Sequence, residues 1–188
     1  MSDPVVRAAK ASDEKEVLAL AHEEMRAHEE LDPRFALRED AEARYAVYLR
    51  DRLRDIDSAV FVAEQDGRIV GSVIASVRTQ ESFFRARRFG YVSDLIVAPG
   101  SRRGGVGKAL WERAALWFRG LGVGVVRLHV AVRSDEARAF WRNVGAEDFL
   151  TEAWIDLPGG SAGKDEGAAE EAGGPKAAGQ PEASEELA

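Results

Sequence analysis

Val97-Ala98-Pro99-Gly100-Ser101-Arg102-Arg103-Gly104-Gly105-Val106-Gly107-Lys108-Ala109-Leu110 is the stretch on which the fold turns. It follows an alternating apolar run, Tyr91 to Val97, that predicts a strand, and it precedes Lys108 to Arg119, whose apolar residues recur at helical spacing. Glycines let the backbone curl until several N–H groups point at one spot. The unpaired N–H groups of a helix start add the positive end of the helix dipole. Arg102, Arg103 and Lys108 bring further positive charge. The stretch therefore predicts a site for a phosphate or pyrophosphate.

Three glycine-rich loops compete for this reading. A dinucleotide fingerprint needs G-x-G-x-x-G, but Gly105-Val106-Gly107-Lys108-Ala109-Leu110 puts leucine where the third glycine lets helix and strand pack closely. Gly104-Gly105-Val106-Gly107-Lys108 looks like the core of a nucleoside-triphosphate loop. Yet Ala109 stands in place of the magnesium-binding hydroxyl, and Arg102 in place of the first glycine. Arg102-x-x-Gly105-x-Gly107, preceded by Val97-x-Pro99, resembles motif A of the Gcn5-related N-acetyltransferases, whose loop amides bind the pyrophosphate of acetyl-coenzyme A.

The chain has 188 residues, enough for one domain with a core, and its hydrophobic fraction of 45% is that of an ordinary globular protein. No run approaches the roughly 18 apolar residues of a membrane span. With no cysteine there is neither a disulfide framework nor a thiol nucleophile, and the N-terminus lacks the layout of a secretory signal. A cytoplasmic protein is expected. The net charge of −7 is concentrated in the tail, where seven acids (Asp165, Glu166, Glu170, Glu171, Glu182, Glu185, Glu186) stand against Lys164 and Lys176. Residues 158–188 are mostly Gly, Ala, Glu, Pro and Ser and cannot bury enough apolar surface to offset ordering entropy. They are expected to be disordered beside a domain spanning 1–157. The nearly neutral domain does not suggest nucleic acid as a partner, and no His–carboxylate spacing suggests a metal site.

Along the chain, Val5–Ala9 predicts a strand. Ser12-Asp13-Glu14 looks like the capped start of a helix ending before Leu31-Asp32-Pro33, and a second helix runs from about Glu39 to Arg54 with Tyr45 and Tyr48 in its apolar stripe. Ala59–Glu64 and Ile69–Ser76 form a hairpin through Asp66-Gly67. A long connection, Thr79 to Gly90, carries Phe83, Phe84, Arg85, Arg87 and Arg88. After the glycine-rich loop and its helix, Val123–Val132 predicts a central strand. Ser134-Asp135-Glu136 caps a last helix that Gly145 ends, and Phe149–Leu157 predicts a closing strand. The order βααβββαβαβ is that of a mixed α/β fold rather than a regular βαβ one.

The resemblance extends beyond the loop. The family's next helix follows Asn-x-x-Ala-x-x-Phe-Tyr-x-x-x-Gly-Phe, and this chain has Ser134-x-x-Ala137-x-x-Phe140-Trp141-x-x-x-Gly145-Ala146 at the same spacing. With the Asp66-Gly67 hairpin and Trp154, the match covers residues 5 to 157. It implies a GNAT-like central mixed, mostly antiparallel sheet with helices on both faces. It also implies transfer of an acetyl group from acetyl-coenzyme A to an amine, with no metal. The cofactor would contact Leu95, Ile96 and Val97, the loop Arg102, Arg103, Gly104, Gly105, Val106, Gly107 and Lys108, and Ser134 and Trp141. Three departures stand out. Ser134 replaces an asparagine that contacts the cofactor, and Ala146 an aromatic. Trp141 replaces the tyrosine that protonates the departing thiolate, and an indole N–H is no acid at neutral pH.

Magnitudes rank the chemistry. Freeing the lone pair of an alkyl amine at pH 7 costs about 4.6 kcal/mol, whereas a thiolate departs unaided against about 2 kcal/mol. The exit for the amine proton matters more than the missing acid. Asp94, on the strand face that alternation shares with Ile96, is the candidate for that exit. Tyr91 is the second candidate. The resemblance to the acetyltransferases further implies a backbone N–H of Ile96 or Val97 as oxyanion donor. His129 reads as a structural mid-strand histidine, and His22 and His28 as surface residues. Acceptor choice is expected from the two N-terminal helices and the 79–90 connection, with Glu29, Glu30 and Asp32 either attracting a cationic amine or simply solvated. The acceptor is expected to be a small-molecule amine. A protein N-terminus or lysine, and a non-catalytic coenzyme A-binding module, are the competing readings, and homodimerisation stays open.

Overall fold

The computed structural model describes residues 2–85 and 88–155. The chain divides into two compact units, Met1–Ala146 and Glu147–Ala188. The first holds β1 (Val5–Ala8), α1 (Glu14–Leu31), α2 (Ala41–Arg54), β2 (Ser58–Gln65), β3 (Arg68–Thr79), β4 (Arg88–Val97), α3 (Val106–Gly120), β5 (Val126–Leu128) and α4 (Asp135–Asn143). The five strands lie in sequence order in one sheet, antiparallel from β1 to β4 and parallel between β4 and β5.

Alternation along the central strands sorts the core into two layers. Phe61, Ala63, Val73 and Ala75 pack with Leu110, Ala114 and Phe118 of α3 and with Trp141 of α4. Their neighbours Val60, Val62 and Ile74 pack on the other face with Val17 of α1 and Leu49 of α2. The sheet therefore carries α1 and α2 on one side and α3 and α4 on the other. The β2–β3 turn has positive φ at Asp66 (51°) and Gly67 (75°), the geometry that matches strand twist in a two-residue hairpin. At the end of α4, Ala146 N–H donates to Trp141 C=O and Gly145 N–H to Arg142 C=O. These are the two bonds of a Schellman cap, with Gly145 at φ 96°.

Four expectations need correction. The strand expected over Val123–Val132 shrinks to Val126–Leu128, because β5 is an edge strand that pairs only with Gly90, Tyr91 and Val92. Residues 149–155 of the closing strand form no ladder among the described residues; Phe149, Leu150 and Ile155 are exposed. Asp13 does not cap α1 with its side chain; its carboxylate accepts from Arg7 Nη1 at 2.6 Å and from Lys10 N–H at 2.7 Å, which ties β1 to the helix start. The helix after the glycine-rich loop begins at Val106, two residues early. Arg87, Asp156, Leu157 and the acidic tail lie outside the described residues.

Gly90 shows how closely α3 sits on the sheet. A Cβ built there would lie 2.6 Å from the Phe118 ring, and Phe118 is fully buried. Gly90→Ala is expected to cost about 1–3 kcal/mol through overpacking, read as a lower urea midpoint. An unchanged midpoint would contradict this packing.

Candidate active site

The site is built on a fault in β4. Ile74 of β3 faces Asp94 while its neighbour Ala75 faces Val92, so Ser93 is an extra residue in the ladder. Such a bulge re-aims the side chains that follow. Val92 packs on the α3 side, whereas Ile96 packs with Leu20 and Ala21 of α1. The bulge is held from α2, where the Tyr48 hydroxyl donates to Ser93 Oγ at 2.7 Å.

Beyond the bulge, β4 keeps β3 on one side and, among the described residues, has no strand on the other. Ala98 N–H donates to Val70 C=O at 2.9 Å, which sets the phase of the antiparallel ladder. Ile96, two residues back, therefore turns its N–H and C=O toward β3. Leu95 and Val97 turn theirs to the open edge, where Arg102 Nε donates to Val97 C=O at 3.2 Å. The expectation that Ile96 offers its N–H as oxyanion donor is thus corrected, since that amide is directed at β3; Leu95 and Val97 hold the open-edge amides.

At the end of β4 the chain makes one 3-10 turn, Pro99–Ser101, and enters α3 through Arg103 (φ 63°) and Gly105 (φ 82°), both left-handed. Among the described residues, no group accepts a hydrogen bond from the backbone N–H of Arg103, Gly104, Gly105, Val106, Gly107 or Lys108; the first amide engaged is Ala109, which donates to Gly105 C=O at 2.9 Å. Such a run of free N–H groups at a helix start suits an anion. The cationic side chains are placed unequally. Arg103 is exposed and Lys108 pairs loosely with Glu112 at 3.8 Å. Arg102 instead bridges Glu136 (3.0 Å) and Glu24 (3.5 Å), so its guanidinium braces α4 and α1 rather than standing free. Gly107 has a packing reason as well: a Cβ there would meet Phe140 at 3.2 Å.

Ser134 is the N-cap residue of α4, yet its side chain makes no cap bond. Trp141 is a buried core residue, edge-on to the partly buried Trp111 at 5.5 Å and Phe140 at 5.1 Å. The indole thus takes the core-packing place, the alternative to a wall of the cofactor site for this tryptophan.

On the opposite face a cavity of about 260 Å³ opens between α1, α2, the segment 33–37 and the bulge. Asp94 lies in its wall together with Ser93, Tyr45, Glu24 and His28. Burial pushes the Asp94 carboxyl up to about 6; Glu24 adds to the rise, while His28, Ser93 and Tyr45 restrain it. The Tyr45 hydroxyl is buried and closes no hydrogen bond within the described residues. Burial and the neighbouring Asp94 charge raise its pKa far above the ordinary value, so it stays protonated.

His28 was expected at the surface but lines this cavity. Its Nδ1 lies 2.9 Å from the Glu24 carbonyl oxygen. A carbonyl only accepts, so Nδ1 carries the proton and Nε2 is left for the cavity. Tyr91 lies one register step before the bulge, outside the cavity lining. Its hydroxyl meets His129 Nδ1 at 3.1 Å, and the Arg78 guanidinium stacks 3.6 Å from its ring. The structure therefore brings Asp94 together with His28 and Tyr45 and leaves Tyr91 apart.

The model of the acetyltransferase (GNAT) family matches residues 18–146. The chain belongs to the GNAT family of acetyltransferases. No curated protein sequence matches it. Solved structures show the same fold. A mutant of the BH1408 protein from Bacillus halodurans is 21% identical, with a TM-score of 0.73 over 81% of this chain and 99% of that one. An aminoglycoside antibiotic 6'-N-acetyltransferase from Acinetobacter haemolyticus is 18% identical, with a TM-score of 0.66 over 81% and 97%. A predicted acetyltransferase from Clostridium acetobutylicum, solved with acetyl-CoA, is 15% identical, with a TM-score of 0.66 over 82% and 95%. In this GNAT chain no described helix is long and apolar enough to cross a membrane, and the described residues contain no cluster of metal-ligating side chains.

The Asp94 environment has a measurable effect on stability. A carboxyl whose folded pKa exceeds its ordinary 3.8 binds more protons folded than unfolded, so its contribution is best below about pH 4 and declines as pH rises through about 6. Asp94→Asn is expected to stabilise the fold at pH 8 by up to about 3 kcal/mol and to change little near pH 3. Equal urea midpoints for the two proteins at pH 8 would show that the Asp94 carboxylate carries no burial penalty.

Proposed function

We propose that this GNAT chain moves the acetyl group of acetyl-coenzyme A to the primary amine of a small molecule, and that Asp94 takes the amine proton. The observation that carries the reading is the carboxyl of Asp94, shifted to about 6 in a small cavity and placed there by the bulge that also parts β4 from β5. A base of that pKa is ionised at neutral pH yet still accepts a proton readily.

The run of free amides from Arg103 to Lys108 supports binding of the pyrophosphate, with Arg103 and Lys108 adding charge. Ser134 has an unengaged hydroxyl for a further polar contact, and the open-edge amides of Leu95 and Val97 are placed to bind the carbonyl oxygen as it gains negative charge. Acetyl-coenzyme A supplies an activated thioester. The chain orients the amine in the cavity and removes its proton to Asp94, directly or through water, and onward to solvent. The neutral nitrogen then bonds to the thioester carbon, the C–S bond breaks, and the second proton that the nitrogen sheds on becoming an amide passes through water to the departing thiolate. With Trp141 in the core, Tyr45 supplies a cavity phenol that stays protonated, and it is placed to hydrogen-bond the ionised Asp94.

A protein N-terminus or lysine as acceptor fits less well, because a cavity of about 260 Å³ walled by Phe35 and Leu37 admits a compact molecule rather than a chain segment. A module without chemistry has no use for a carboxyl whose raised pKa costs stability. Free-thiol release from acetyl-coenzyme A with an amine panel tests the proposal. Asp94→Asn is expected to lower kcat/KM by about 10²–10³-fold and to remove an acid limb near pH 6. An unchanged pH–rate profile would take Asp94 out of the reaction.

A further inference from the structure

We propose that the acceptor is a compact monoamine with an apolar body, such as an arylalkyl or branched alkyl amine, and that the site discriminates against polycations such as polyamines and aminoglycosides. This rests on the acetyl-transfer reading above and narrows its substrate.

Size is the first argument. The cavity's volume of about 260 Å³ lies below the roughly 300–1,000 Å³ of sites for drug-sized ligands. Lining is the second. Met25, Phe35, Leu37 and Ile96 give it an apolar wall. Phe35 is fixed edge-on to His28 at 5.4 Å, and the segment carrying Leu37 is tied down by Leu37 N–H donating to Glu29 Oε1 at 3.1 Å. An apolar wall held in place by its own hydrogen bonds is built to receive an apolar group.

Charge is the third argument and the one that excludes polycations. The acids of this rim are mostly committed. Glu24 faces Arg102 and His28. Asp32 accepts from the Arg34 N–H and pairs with Arg133 at 2.9 Å. Glu29 is used by Leu37. Among the described residues Asp94 is the one cavity-lining carboxyl with no basic side chain within salt-bridge distance. One uncommitted carboxyl matches one ammonium; each further ammonium would be desolvated against apolar atoms or compete for an acid already paired.

The test uses the full chain and four probes: phenylethylamine, isoamylamine, spermidine and kanamycin. Thiol release gives kcat/KM, and calorimetry of each amine without acetyl-coenzyme A gives binding independent of turnover. The two apolar monoamines are expected to exceed the polycations by about 100-fold in kcat/KM. Phe35→Ala is expected to raise KM for phenylethylamine by about tenfold or more with kcat little changed, as loss of one aromatic contact predicts. Phe35→Leu should restore most of the loss. Spermidine or kanamycin equal to or better than phenylethylamine would overturn the proposal while leaving acetyl transfer standing. Calorimetric binding of phenylethylamine with no thiol release from any amine would leave the pocket as described and overturn the transfer reading. Neither binding of, nor thiol release with, any of the four amines would overturn both.

Discussion

The hydrogen bond from the Tyr48 hydroxyl to Ser93 Oγ holds the feature on which the site depends. It fixes from α2 a one-residue bulge in an otherwise regular strand. A bulge bends a strand and sharpens its twist, and here it does two things at once. It carries β4 away from β5 after Val92, which leaves the Leu95 and Val97 amides facing an open edge. It also turns Asp94 and Ile96 toward α1 and α2, so that a carboxyl enters the place opposite Ile74 where an unbulged strand in the Val92 register would have put Ser93. Cofactor edge and acceptor pocket are thus the two sides of one local distortion.

The two sides are also joined by charge. Arg102 stands in the loop whose amides suit a pyrophosphate, yet its guanidinium reaches Glu24 on α1 and Glu136 on α4. Glu24 in turn lines the acceptor cavity and contributes to the raised pKa of Asp94. The motif arginine therefore links the loop to the pocket. The glycines divide their work in a similar way. Gly105 supplies a left-handed step into α3, while Gly107 admits the Phe140 ring and Gly71 lets the Ile96 carbonyl approach, where a Cβ would lie 2.8 Å from it.

Much of this was legible in the residue order, where the signal is local. The Asp66-Gly67 turn, the α4 cap at Gly145 and the strand-loop-helix around Gly105 each follow from backbone preferences that a few residues declare. Alternation placed Asp94 with Ile96 correctly, because both lie beyond the bulge. It could not reveal that Val92 faces the other way, since an inserted residue leaves no mark in an apolar run. Tyr45 read as one member of a helical stripe and His28 as a surface residue, because their role comes from a strand 45 or more residues away that only the fold brings near. The short β5 and the unpaired 149–155 have the same cause: β-branched and aromatic content predicts strand, but a ladder needs a partner.

The claim on which the account stands is that the bulge delivers Asp94 into a half-buried pocket where its carboxyl is pushed up to about 6. Carbon-detected NMR of the side-chain carboxyl of Asp94, followed from pH 3 to pH 9 in the full chain, measures this directly. The account predicts a midpoint near 6 that falls toward 4 when Tyr48→Phe releases the bulge. A midpoint near 3.8 in the unaltered protein would contradict it.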